Sequence, residues 1–285
     1  MQFALPWQDR AGRFAPLKAL AFFGVLAPGL WISFKFLTGT IGVKPVEAAL
    51  HETGLWAVRL LLVTLAITPL RLVTGWGKWL QIRRMLGVAA LTYTLIHLAL
   101  YVVQQKYDLI VVAREIVLRF YLTIGFASLA AMIALGLTST DRALRTMGAE
   151  RWNRLHQLVY PLTLLAIFHA FLQAKIDVSE EVIQIGVFLV LMAVRLLRKI
   201  DALHWLALLA LALLSVPIAM GLEALWYGLA TGVPWRRIFM ANFDLALAPR
   251  PAVIVGAMAL ILPVLALFGA RPSARPARRA SVQNS

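Results

Sequence analysis

Of the five histidines in this 285-residue chain, His97, His156 and His169 lie inside long apolar stretches and His204 at the very start of another. An imidazole in hydrocarbon is costly unless something satisfies it, so each one asks for a partner. His156 and His169 share the stretch 151–171, RWNRLHQLVYPLTLLAIFHAF, and lie 13 residues apart. At helical rise that separation is roughly 20 Å along the axis, one histidine near each membrane face. His97 lies 13 residues beyond Arg84, and His169 lies 15 beyond Arg154. On two helices pointing the same way, those offsets bring both imidazoles to a similar depth. Matched depth is what axial ligation of one heme between two helices requires, with neutral imidazole nitrogens on the iron. Hydrogen bonding to a neighbouring helix would account for either histidine alone, but not for their common level.

His156 is harder to place. A second heme would want a partner 13 or 14 residues before His97, and those positions hold Arg84 and Arg83. An ideal helix also leaves His156 and His169 roughly 140° apart in phase. Pro161 removes the backbone hydrogen bond to Gln157, and a kink there changes that phase. Three roles stay open for His156: an unusual second heme ligand, a flavin or quinone contact, and an interfacial structural histidine. Arg59 enters an apolar stretch five residues past Gly54. A buried arginine needs an anion, and a heme propionate would serve; snorkelling to the surface is the alternative. Arg83 and Arg84 are placed to take a flavin phosphate or a heme propionate, or simply to flank a span. Tyr93 and Tyr101 share a face with His97 and are expected to pack. His51, in an outer loop, and His204, at the inner start of the seventh span, are expected to be solvated or interfacial.

The elements that hold these residues are apolar helices. Hydrophobic residues make up 61% of the chain and mean hydropathy is +0.80, well beyond a soluble domain. No short alternating strands suggest a barrel. The absence of cysteine excludes disulfides, iron–sulfur ligation and zinc–thiolate sites. Net charge is +15, but the positive residues sit between apolar spans, which points to loops at a membrane face rather than to nucleic acid.

Eight spans are expected, over 17–37, 54–73, 85–104, 120–138, 153–172, 181–197, 203–222 and 251–269. With the N-terminus inside, the inner segments hold 18 Lys and Arg and the outer ones 8, so both termini are expected to be cytoplasmic. The start is expected to be a cytoplasmic lead-in rather than a signal peptide. The aromatic stretch between the last two spans is expected at the outer interface. The Pro-, Arg- and Ser-rich tail, 271–285, is expected to be disordered and held near anionic lipid. No internal repeat and no dinucleotide-binding fingerprint stands out, so electrons would have to come from a partner.

Five segments carry a family resemblance: LLLVTLAITPLR (60–71), IRRMLGVAALTYTLIHLALY (82–101), YLTIG (121–125), LGLTST (135–140) and the histidine stretch 151–171. In order and spacing they resemble the MsrQ (YedZ) family, heme-binding membrane subunits of the periplasmic methionine-sulfoxide reductase system, within the ferric-reductase-like transmembrane superfamily. The resemblance covers roughly residues 15 to 200. It implies a six-helix core carrying heme b, with FMN also assigned to the family. It further implies electrons from the quinone pool or a cytoplasmic flavin reductase, passed to MsrP, a periplasmic molybdenum-cofactor enzyme that reduces methionine sulfoxide in proteins. His97 and His169 take the axial positions, and His156 is the family's third histidine. Arginine stands where the superfamily's other inner histidine would be. The family commonly has Arg-Pro-Tyr where this chain has Arg119-Phe120-Tyr121, so the start of the fourth span is expected to differ.

The expected architecture is all-α: a polytopic transmembrane bundle with a cytoplasmic lead-in (1–16), a six-span heme-binding core (17–200), a C-terminal extension with two spans (201–270) and the tail. The expected function is that of a membrane cytochrome b, an electron-transfer subunit of the bacterial inner membrane rather than a complete enzyme. Its rivals are a ferric-reductase-like or quinol-oxidising cytochrome b with another acceptor, and a non-redox membrane protein.

Overall fold

The computed structural model describes residues 5–9, 11–174, 177–244 and 249–269. Arg10 and Lys175, both counted for orientation, lie outside these, as does the tail 271–285 with Arg271, Arg275, Arg278 and Arg279. Among the described residues the chain forms twelve α-helices, one short 3₁₀ turn and no strand beyond an isolated bridge between Gln8 and Phe14. The chain is all-α, as expected. The helices are α1 Pro16–Leu37, α2 Pro45–Thr74, α3 Leu80–Gln104, α4 Leu109–Leu118, α5 Phe120–Leu137, α6 Asp141–Met147, α7 Ala149–His156, α8 Val159–Gln173, α9 Ser179–Lys199, α10 Trp205–Ala230, α11 Trp235–Ala241 and α12 Pro251–Phe268.

Among the described residues, seven helical segments are long and apolar enough to cross a membrane, α7 and α8 counting together. The remaining expected span is α9, with 21 residues but Glu180 and Glu181 at one end and Arg195, Arg198 and Lys199 at the other. Glu181 and Gln184 face the protein interior and are almost wholly buried. The charge that lowers the hydropathy of α9 is thus partly turned inward, away from lipid.

The centre of the bundle is α2, packed against α3, α8, α9 and α12. The second span was expected to begin at Gly54; the helix starts at Pro45, whose ring suits the first turn because no N–H is needed there. Pro69, inside α2, lacks the N–H that would bond Leu65 four residues earlier. The freed Leu65 carbonyl takes Nη2 of Arg195 from α9 at 2.5 Å, while Nη1 bonds Leu191 at 2.7 Å. The carbonyl opened by the proline is thereby paired with a half-buried cation, and α9 is fixed to α2.

Two further polar ties matter for the site. Ser128 of α5 donates to the Leu162 carbonyl of α8 at 3.0 Å. Tyr93 of α3 donates to Val25 of α1 at 2.9 Å and is buried there, so it packs as expected. Helix α4 was not expected; Asp108 caps it by accepting from the amides of Ile110 and Val111. The chain turns sharply at Arg119, which pairs with Glu115 and donates to the Tyr121 hydroxyl at 2.9 Å. The extension packs on the same bundle: α10 and α12 lie against each other and against α9, and α12 also reaches α2. Trp226 of α10 meets Phe171 of α8, two residues past His169, with centroids 4.8 Å apart.

Candidate functional site

His97 on α3 and His169 on α8 face each other, with ring centroids 6.4 Å apart and planes at 89°. The equal depth read from the spacing is therefore also a lateral meeting. The two rings are held by the same device. Nδ1 of His97 lies 2.8 Å from the Leu50 carbonyl of α2, and Nδ1 of His169 lies 2.8 Å from the Tyr121 carbonyl of α5. A carbonyl only accepts, so each Nδ1 carries the proton and donates it. Each Nε2 is then the unprotonated nitrogen, with its lone pair available for a metal.

The donor set fits a heme iron. Imidazole nitrogens bind metals at about 2 Å, which for two rings on opposite sides of one ion puts their centroids about 6 Å apart. A metal-binding histidine ordinarily donates its other N–H to a carbonyl or carboxylate, the arrangement present on both sides here. Both rings also lie against glycine. A Cβ on Gly54 would stand 2.8 Å from Nδ1 of His97, and one on Gly125 would stand 2.8 Å from Nδ1 of His169.

His156 is elsewhere. It ends α7, stacked on Trp152 at 3.7 Å, and its Nε2 lies 3.2 Å from the Thr138 hydroxyl. The kink expected from Pro161 is present as a break between α7 and α8, where the Gln157 carbonyl takes the amide of Tyr160 instead. His156 lines a cavity of about 270 Å³ with Arg83, Arg84, Trp152 and Ser139, roofed by Met132 and Leu162. Arg84 also pairs with Asp141 at 2.7 Å. Arg59 finds its anion within the chain: Glu180 of α9 lies 2.7 Å away, and the guanidinium sits over Trp56. Sequence reasoning thus brought together His97 with His169, and His156 with Arg83 and Arg84. It missed the carbonyls of Leu50 and Tyr121 and the glycines four residues after each. The only signal for them is that repeated four-residue spacing, which means nothing until the histidines are known to meet it.

Residues 53–167 match the family of ferric reductase like transmembrane components. The chain is 39% identical over 194 residues to the protein-methionine-sulfoxide reductase heme-binding subunit MsrQ of Rhodospirillum rubrum, covering 68% of this chain and 91% of that protein. It is likewise 39% identical over 185 residues to the MsrQ of Xanthomonas axonopodis pv. citri, covering 65% of this chain and 84% of that one. No solved structure matches.

Proposed function

The chain belongs to the MsrQ family of ferric-reductase-like heme-binding subunits, and from that premise we propose that it is the membrane cytochrome b of a protein-methionine-sulfoxide reductase system. In this reading heme b, bound by His97 and His169, supplies one-electron chemistry through its iron. The chain's own part is to bind, orient and shield. The carbonyls of Leu50 and Tyr121 keep the proton on Nδ1 of each ring, so that Nε2 stays a ligand. The apolar helices around the pair keep the local dielectric low, which tunes the potential. The facing imidazoles, each tied through Nδ1 to a backbone carbonyl, carry this reading.

The donor is the quinone pool or a cytoplasmic flavin reductase. The acceptor is a periplasmic MsrP-type molybdoenzyme. The many positive charges on one set of loops support an inner-membrane protein with both termini cytoplasmic. The cavity beside His156 is the place for the second cofactor that the resemblance implies, FMN. Arg83 and Arg84 line it and would meet a phosphate, and Trp152 and His156 present flat rings. The extension, 201–270, adds anchorage to the 17–200 core and braces the helix of His169 through Trp226.

The test is a reduced-minus-oxidised spectrum of the purified, detergent-solubilised protein. A b-type signal lost in both His97→Ala and His169→Ala is expected; an unaltered signal in both overturns the assignment. Adding an MsrP-type enzyme to the reduced protein checks the acceptor, since a heme that is not reoxidised points to another partner.

A further inference from the structure

The backbone around the two histidines repeats in a way that single-residue reading does not reveal. In an α-helix the carbonyl of residue i accepts from the amide of residue i+4. A second donor must approach its other lone pair from the side, across the surface where residue i+4 carries its Cβ. Leu50 and Gly54 stand in that relation on α2, and Tyr121 and Gly125 stand in it on α5. A Cβ on Gly54 would lie 2.8 Å from Nδ1 and 2.9 Å from Cε1 of His97. On Gly125 it would lie 2.8, 2.9 and 3.2 Å from Nδ1, Cε1 and Cγ of His169. Real Cβ atoms do not approach rings so closely, so any side chain at either place displaces the imidazole.

We propose that Gly54 and Gly125 are positioning residues for the metal-binding pair, each opening the side of a helical carbonyl so that an imidazole can donate Nδ1–H to it and be locked in plane. The inference rests on the heme reading above. It adds that ring orientation, and with it the iron's ligand field, is set by two glycines that touch no cofactor atom through a side chain. The planes they hold are nearly perpendicular. Ferric low-spin iron between crossed imidazoles gives a strongly anisotropic EPR signal, whereas parallel rings give a rhombic one. The Nδ1–H bonds also make the ligands more basic, which favours the ferric state and lowers the potential.

The experiment compares Gly54→Ala and Gly125→Ala in the full-length, heme-loaded protein with Gly24→Ala and Gly221→Ala. The latter two are helical glycines where a Cβ meets nothing within 4 Å. Alanine is the better helix former, so all four substitutions favour the helix itself. The expected result in the first pair is a reduction potential moved to more positive values with an altered low-spin EPR signal, or heme lost from a chain that still folds. The second pair should match the unaltered protein. Potentials and EPR signals in the first pair equal to those of the second overturn the proposal. Should an alanine variant not accumulate, pulsed EPR on the unaltered, histidine-labelled protein decides: both axial rings must carry an exchangeable, hydrogen-bonded Nδ1 proton, and one ring without it overturns the idea. A protein with no heme at all fails the earlier reading; normal heme indifferent to both glycines fails only this one.

Discussion

The pair His97–His169 and the lone His156 are built from the same residue type in opposite surroundings. At the pair, each imidazole spends its Nδ1 on a backbone carbonyl, and the two rings lie with centroids 6.4 Å apart. At His156 the ring is stacked on Trp152, its Nε2 is engaged by the Thr138 hydroxyl, and its companions in the cavity wall are two arginines. A neutral imidazole is a metal ligand through a free nitrogen, and is best oriented when the other nitrogen is held as a donor. The first site meets both conditions twice; the second presents positive charge and flat rings. On the reading proposed above, one would grip a metal and the other would receive an anionic, planar group.

The contrast is broken most directly by alanine at the three histidines. His97→Ala and His169→Ala should each remove the b-type spectrum, while His156→Ala should retain it. A spectrum as sensitive to His156 as to the pair would erase the distinction. The next largest effect is expected on α2, where Arg195 answers the Leu65 carbonyl freed by Pro69. Arg195→Met should cost about 2 kcal/mol by leaving a buried carbonyl unpaired. Pro69→Ala in that background should recover part of it, because alanine restores the N–H that the helical Leu65 carbonyl lacks; detergent-phase thermal unfolding of the two variants checks this. Removing the stacked indole in Trp152→Ala should cost about 1 kcal/mol, lower flavin retained per polypeptide, and leave the b-type spectrum in place. Smallest is Arg84→Gln. Its pair with Asp141 is about half exposed on both sides, so the change in stability should stay under about 1 kcal/mol and fade with added salt. A large loss there would mean that the charged rim of the cavity is structural.

The matched level of His97 and His169 was legible because depth in a membrane helix is a count of residues from a charged end. Helix class followed from composition; Pro161 suggested a kink, but not that the expected 153–172 span divides into α7 and α8. The partners were not legible. For Arg59 the sequence offered a heme propionate or the membrane surface, and gave no sign of Glu180, which it bonds across 121 residues. Leu50 lay outside the expected span, because hydropathy dropped at His51 and Glu52 while the helix continued back to Pro45. Tyr121 was visible only as part of a family segment, and a carbonyl leaves no trace in side-chain type.

From the order of residues alone, this protein is a helical membrane bundle with two imidazoles at one height and a third at another. Whether those two face each other, which carbonyls hold their protons, and which glycines admit them were decided by tertiary packing. The physical reason lies in the solvent. Lipid makes every face of a spanning helix apolar, so periodicity fixes axial position but carries little information about rotation. Rotation is settled only when neighbouring helices close on small residues and claim each other's spare hydrogen bonds.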